Sequence, residues 1–139
     1  MEFPISLKME VNWGDMDAYG HVNNTIFFKY FESVRMKYLE HVKALDLMES
    51  QSIGPILAAT SCQFKAPLIY PAEIEVFASV KSIGNTSMVM EYKIILGNND
   101  LAALGDSVIV MHHYDSGSNV AVPDELVRRI EELEGKALR

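Results

Sequence analysis

The chain has 139 residues, 49% of them hydrophobic, one cysteine, and twelve basic against nineteen acidic side chains, for a net charge of −7. That length suits one domain, 1–139, which can fill a core without cross-links, and the lone Cys62 excludes an internal disulfide framework and fits a reducing cytoplasm. The acidic balance argues against a nucleic-acid partner, no apolar run approaches the ~18 residues of a membrane span, and MEFPISLKMEVNW lacks the basic start and apolar run of a signal peptide.

Residues 5 to 13 alternate, with Ile5, Leu7, Met9, Val11 and Trp13 on one face and Ser6, Lys8, Glu10 and Asn12 on the other. This pattern predicts a half-buried strand. The polar stretch WGDMDAYGHVNN follows, and the period then changes to 3.6. Phe27, Tyr30, Phe31, Val34, Tyr38, Val42 and Leu45 form an apolar stripe, with Lys29, Glu32, Lys37, Glu40 and Lys43 mostly opposite. The helix is expected from about Asn24 to Leu47, roughly 36 Å long at the standard rise.

After SIGP every segment reads as strand. Ile56, Ala58, Cys62 and Phe64 share a face up to Pro67, and Ile74, Val76, Ala78 and Val80 alternate with Glu73, Glu75, Ser79 and Lys81. The turn GNTS leads to Met88, Met90, Tyr92, Ile94 and Leu96, and GNND leads to a last strand containing SVIVMHHYD. Pro123 opens a short charged helix, DELVRRIEELEGK, with its acids early, as the helix dipole favours.

Short turns between consecutive strands favour antiparallel pairing, and a long helix must bury its stripe. The expected fold is therefore α+β, a five-stranded antiparallel sheet wrapped around one long central helix, plus a short C-terminal helix. Leu57, Val89, Ile95, Ile109 and Met111 are expected on the face away from the helix. Apolar residues on both faces imply cover by another subunit.

The loop ahead of the helix carries the chemistry. DMDAYG begins like a calcium loop, but Tyr19 and Ile26 stand where oxygen ligands belong, and a strand precedes it. A phosphotransferase aspartate pair would follow a buried parallel strand, which this one is not. His112 and His113 point to opposite faces of a strand, so a zinc site is not expected either. The helix start itself offers amides without intrahelical partners and a partial positive charge. A carbonyl aimed at those donors becomes more electrophilic, and an upstream carboxylate can act on it as general base or as nucleophile. Gly20 permits the sharp turn between the two.

WGDMDAYGHVNNTIFFKYFESVR resembles the hot-dog-fold acyl-CoA thioesterases of the 4-hydroxybenzoyl-CoA thioesterase family, whose motif reads Asp-x-Asp-x-x-Gly-His-Val-Asn-Asn ahead of the central helix. CQFKAPLIYPAEIEVFASVKSIGNTSMVMEYKI is similar to that family's middle strands, and GDSVIVMHHYDSGSNVAVPDELVRRI to its last strand and closing helix. The resemblance implies that Asp17 is the catalytic carboxylate and that the amide near Asn24 polarises the thioester carbonyl. Gly20, His21, Val22 and Asn23 would shape the substrate-binding turn, with Asn23 as helix cap. It also implies a homodimer with pantetheine running between subunits, able to pair again into a homotetramer.

Asp15 reads as a turn carboxylate, Cys62 as a buried inert thiol and the helix aromatics as core. Some hot-dog thioesterases use a glutamate of the central helix, but Glu32 and Glu40 lie on the polar side. The expected function is hydrolysis of acyl-CoA to free acid and CoA in the cytoplasm, with no cofactor. The alternative is a non-catalytic binder of acyl thioesters. Lys65, Lys81 and Arg128 could meet CoA phosphates, although solvated surface charge explains each as well.

Overall fold

The computed structural model describes residues 3–139. It contains β1 (Ile5–Glu10), α1 (Asn24–His41), α2 (Ala44–Gln51), β2 (Ile53–Phe64), β3 (Glu73–Ile83), β4 (Ser87–Leu96), β5 (Leu101–His113), β6 (Ser118–Asn119) and α3 (Asp124–Glu134). The strands form one antiparallel sheet in the order β1-β3-β4-β5-β2, with β6 paired to β5. The sheet curls around α1 as expected of a hot-dog fold, and the two-residue β6 is an addition to the five expected strands.

The periodic signals place the inner faces of α1, β3 and β4 as expected. Phe27, Tyr30, Phe31, Val34 and Tyr38 of α1 are buried against the sheet. Ile74, Val76, Ala78 and Val80 of β3 face it, as do Met88, Met90, Tyr92 and Ile94 of β4. Phe31 stacks on Tyr92 with ring centroids 4.9 Å apart. Behind it Gly105 leaves no room for a side chain, since a Cβ there would lie 2.3 Å from the Phe31 ring. Glycine in β5 is thus what lets the helix sit this close to the sheet.

Four expectations need correction. The first strand ends at Glu10, because Val11 donates to the Ala72 carbonyl and Trp13 enters a 3-10 turn, leaving it 74% exposed. The single helix to Leu47 is two helices, because Lys43 adopts a left-handed conformation with φ of 59°. Leu45 lies beyond that break and is exposed rather than part of the stripe. On β2 a register shift between Leu57 and Ala59 reverses the alternation. Leu57, Cys62 and Phe64 therefore share the inner face, while Ile56 points outward. Ile109 and Met111 pair with Leu57 and Pro55 on that inner face and are buried. Val89 and Ile95 lie on the outer face as expected, and Val108 and Val110 join them there in place of Leu57, Ile109 and Met111, all four half-buried.

Helix α3 closes one end. Leu126 and Ile130 are buried, and Arg129 donates to the Val42 and Lys43 carbonyls at 3.2 and 3.3 Å, satisfying the end of α1 with a cation. Glu134 accepts from the buried Tyr38 hydroxyl at 2.6 Å and from the Val80 amide at 2.9 Å. Burial and the Glu134 carboxylate together hold the Tyr38 phenol well above the ordinary tyrosine range.

Candidate active site

The opposite end of α1 is built by residues 13 to 24. Trp13–Asp15 form the 3-10 turn, and the chain then doubles back through an isolated bridge between Met16 and Val22. Inside that bridge Asp17 N–H donates to the His21 carbonyl at 2.8 Å and Gly20 N–H to the Asp17 carbonyl at 3.1 Å. Gly20 has φ of +82°, a conformation that favours glycine. The Asp17 carboxylate accepts from the Tyr19 amide at 2.8 Å through Oδ1, a local turn of the kind aspartate makes. Its Oδ2 meets no donor among the described residues.

Two bonds anchor this turn to its surroundings. Val22 N–H donates to the Leu68 carbonyl at 2.8 Å, and Asn23 N–H to the Asp15 carbonyl at 3.0 Å. Asn23 then caps α1, its Oδ1 accepting from the Thr25 amide at 3.0 Å and the Thr25 hydroxyl at 3.1 Å. Ile26 N–H donates to the Asn23 carbonyl. These bonds leave the Asn24 N–H, at the first residue of the helix, without an acceptor among the described residues. A helix N-terminus with a spare amide attracts an electron-rich oxygen.

Asn24 lines an open groove of about 280 Å³ together with His21, Val22, Phe27, Phe64 and Lys65, among others. The Phe64 ring stands edge-on to Phe27 at 4.9 Å and is 47% exposed. Of the residues singled out from sequence, His21, Val22 and Asn24 meet in the groove, Asn23 caps the helix beside it and Gly20 makes the turn. Asp17 sits half-buried on the same loop but does not line the groove within this chain. The His21 side chain is exposed, and its carbonyl is what holds the turn.

Two features escaped the sequence reading. The sequence places Phe64 on the same face as Cys62, and in the structure it forms a wall of the groove. Tyr30 belongs to the core and is buried, but its hydroxyl has no hydrogen-bond partner among the described residues. Burial, with a smaller contribution from the Asp15 carboxylate, pushes that phenol up to about 12. The only available signal was a tyrosine where phenylalanine would have filled the stripe. Cys62 is half-buried beside the same inner face, and burial raises its thiol to about 11.

The sequence profile of the thioesterase-like superfamily matches residues 11–130. The YsmA protein of Bacillus subtilis (strain 168) is 29% identical over 122 residues, covering 85% of this chain and 79% of that protein. A thioesterase of Thermus thermophilus, solved in complex with coenzyme A and zinc, is 29% identical, with a TM-score of 0.85 and coverage of 98% of each chain. The PA2801 protein of Pseudomonas aeruginosa is 28% identical, with a TM-score of 0.80 and coverage of 90% of this chain and 96% of that one.

Proposed function

The chain belongs to the thioesterase-like superfamily, and from that premise we propose that it hydrolyses an acyl-CoA thioester to the free acid and CoA. The observation that carries this reading is the Asn24 N–H at the start of α1, without an acceptor among the described residues, on a residue that lines the groove beside Phe27 and Phe64. A thioester carbonyl accepting from that amide gains charge stabilisation as its oxygen becomes an oxyanion, strengthened by the dipole of an 18-residue helix. Asp17, with one carboxylate oxygen free, is the group that acts on the carbonyl carbon. It removes a proton from water, or attacks to form an anhydride that water then opens. Either route breaks the C–S bond, and CoA departs as the thiolate.

Gly20, His21, Val22 and Asn23 belong to this site as the turn and cap that hold Asp17 and Asn24 in register. The groove is open on one side, which supports a homodimer with pantetheine lying between subunits, in the manner of the 4-hydroxybenzoyl-CoA thioesterase family. The apolar residues of the outer sheet face support further pairing into a tetramer. The relative from Thermus thermophilus was solved with coenzyme A, and Lys65 at the groove is a cation suited to a CoA phosphate.

The test is thiol release from acyl-CoAs of graded chain length and from aryl-CoAs, with wild type and Asp17→Asn side by side. The expected loss in kcat is about 10²- to 10⁴-fold, the usual contribution of an acid–base residue, with an unchanged melting temperature. A variant with wild-type turnover would remove Asp17 from the mechanism. A second reading has one observation in its favour, namely that Asp17 stands outside the groove of the single chain. If no ester is cleaved but acyl-CoA binds saturably, the domain is a thioester binder.

A further inference from the structure

Arg35 lies midway along α1 and is 8% exposed. Its Nη1 donates to the Tyr92 hydroxyl at 3.3 Å, and that hydroxyl is hydrogen-bonded to Ser107 Oγ at 2.5 Å. Both of these groups are neutral. Among the described residues no carboxylate lies within 4.0 Å of the guanidinium. A guanidinium does not give up its proton in a protein, so burying it is costly unless it is paired, and an anion is the partner that compensates it best. The only buried side-chain polar atom without a partner among the described residues is the Tyr30 hydroxyl. The other nitrogens of Arg35 therefore keep a narrow contact with the surface.

Helical spacing puts Phe28, Glu32, Arg35, Met36 and Leu39 on one side of α1. This side borders β2, since Met36 and Leu39 share a small apolar hollow with Pro55. It is also the uncovered side of the molecule. Met36, Leu57 and Phe64 are all exposed there, and β2 is an edge strand of twelve residues. A long exposed edge with an apolar flank is a template for another chain. The acid on this side nearest to Arg35 in the helix is Glu32, which is exposed and without a partner among the described residues.

We infer that the counterion of Arg35 is Glu32 of a second copy of this chain, docked against the α1–β2 side. A two-fold axis passing beside this turn of α1 makes the contact twice, each Glu32 meeting the other copy's Arg35, as a self-complementary interface requires. The groove at Asn24 and the hollow at Met36 both stop short of Arg35. A small acid would thus find no recess there, whereas a carboxylate projecting from a protein face would. The inference rests on the homodimer reading above and names the pair of residues that makes the dimer specific. The buried cation has a single neutral partner, Tyr92, in the single chain and becomes a satisfied site only in the assembly.

Sedimentation equilibrium on the full chain tests this. Wild type is expected to dimerise, and Glu32→Gln to raise the dissociation constant about 100-fold or more, since it strands two buried cations per dimer. Glu10→Gln, an exposed acid on β1 at the opposite edge of the sheet, is expected to leave the constant unchanged. Glu32→Arg and Arg35→Glu are each expected to fail as homodimers but to associate when mixed, because every cross-chain contact is then between opposite charges. Recovery on mixing separates a cross-chain pair from one within a single helix, where mixing recovers nothing and the inference fails. If Arg35→Glu does not fold by circular dichroism, the Glu32→Gln result decides alone. A wild-type dimer as tight as its Glu32→Gln variant overturns the ion pair and leaves the homodimer reading standing. A wild-type monomer overturns both, and a monomer whose melting temperature rises with glutarate would give the site to a small acid. Thioester hydrolysis is scored separately through Asp17.

Discussion

The two ends of α1 are finished in opposite ways, and two tyrosines of the same stripe report the difference. At the C-terminal end Tyr38 gives its hydroxyl to Glu134, Arg129 covers the last carbonyls, and α3 lies over the whole. Every polar group named there has a partner. At the N-terminal end Tyr30 has none, the Asn24 amide has none, and one oxygen of Asp17 has none among the described residues. Stability is concentrated at one end of the helix, and unspent hydrogen-bonding capacity at the other. An acyl-transfer site needs that second condition, because donors already satisfied in the resting protein cannot stabilise charge that develops in the reaction.

The sealed end should give the largest stability effect. Glu134→Ala leaves the buried Tyr38 hydroxyl and the Val80 amide without an acceptor, and is expected to cost about 3 kcal/mol of unfolding free energy in urea titration. Turnover of acyl-CoA should stay close to wild type below the melting temperature, because Glu134 acts at the end of α1 remote from Asn24. Glu134→Gln keeps an acceptor oxygen and should recover much of the loss. Wild-type stability in the alanine variant would mean that the far end of α1 is not held by this residue.

The open end should respond less in stability and more in catalysis. Asn23→Ala removes the cap on Thr25, for an expected cost of about 1 kcal/mol. Because the cap sets the first turn, kcat should fall with it, and Asn23→Asp should restore both. Loss of stability with unchanged kcat would separate the cap from the chemistry.

How much of this was legible depended on whether the signal was local. The α1 stripe as far as Val42 and the inner face of β4 are legible because their apolar residues recur at a local spacing and Ser87, Glu91 and Lys93 mark the outer face of β4 despite Val89 and Ile95. SVIVMHHYD could not be oriented in that way, because Val108 and Val110 are as apolar as Ile109 and Met111. The shift at Leu57/Ala59 defeated the reading of β2 for a related reason, since one extra residue exchanges every later side chain between faces. Nothing in Lys43 announces a left-handed residue, so the helix break was missed. At the site, Gly20 and Asn23 were legible because their turn and cap are formed within a few residues. The groove was not, because Phe64 and Lys65 come from the far end of β2 and the residue just after it, a long way down the chain from Asn24.

The smallest expected effect returns to the two tyrosines. Tyr30→Phe removes a hydroxyl that has no partner, so near neutral pH unfolding free energy should change by no more than about 0.5 kcal/mol, or rise slightly. The comparison sharpens at high pH. A phenol held at about 12 when folded, against 10.0 ordinarily, keeps a proton that the unfolded chain has already released between those values. Wild type is therefore destabilised as pH rises through that window, and the variant escapes this part of the loss. Tyr38 and Cys62 titrate in both proteins and cancel in the difference. The stability gap between Tyr30→Phe and wild type should widen in the variant's favour above pH 10.0. A gap that closes or reverses would mean that the folded protein tolerates the Tyr30 phenolate, through a hydrogen-bond donor or solvent at its oxygen, and that the open end of α1 is more polar than the single chain indicates.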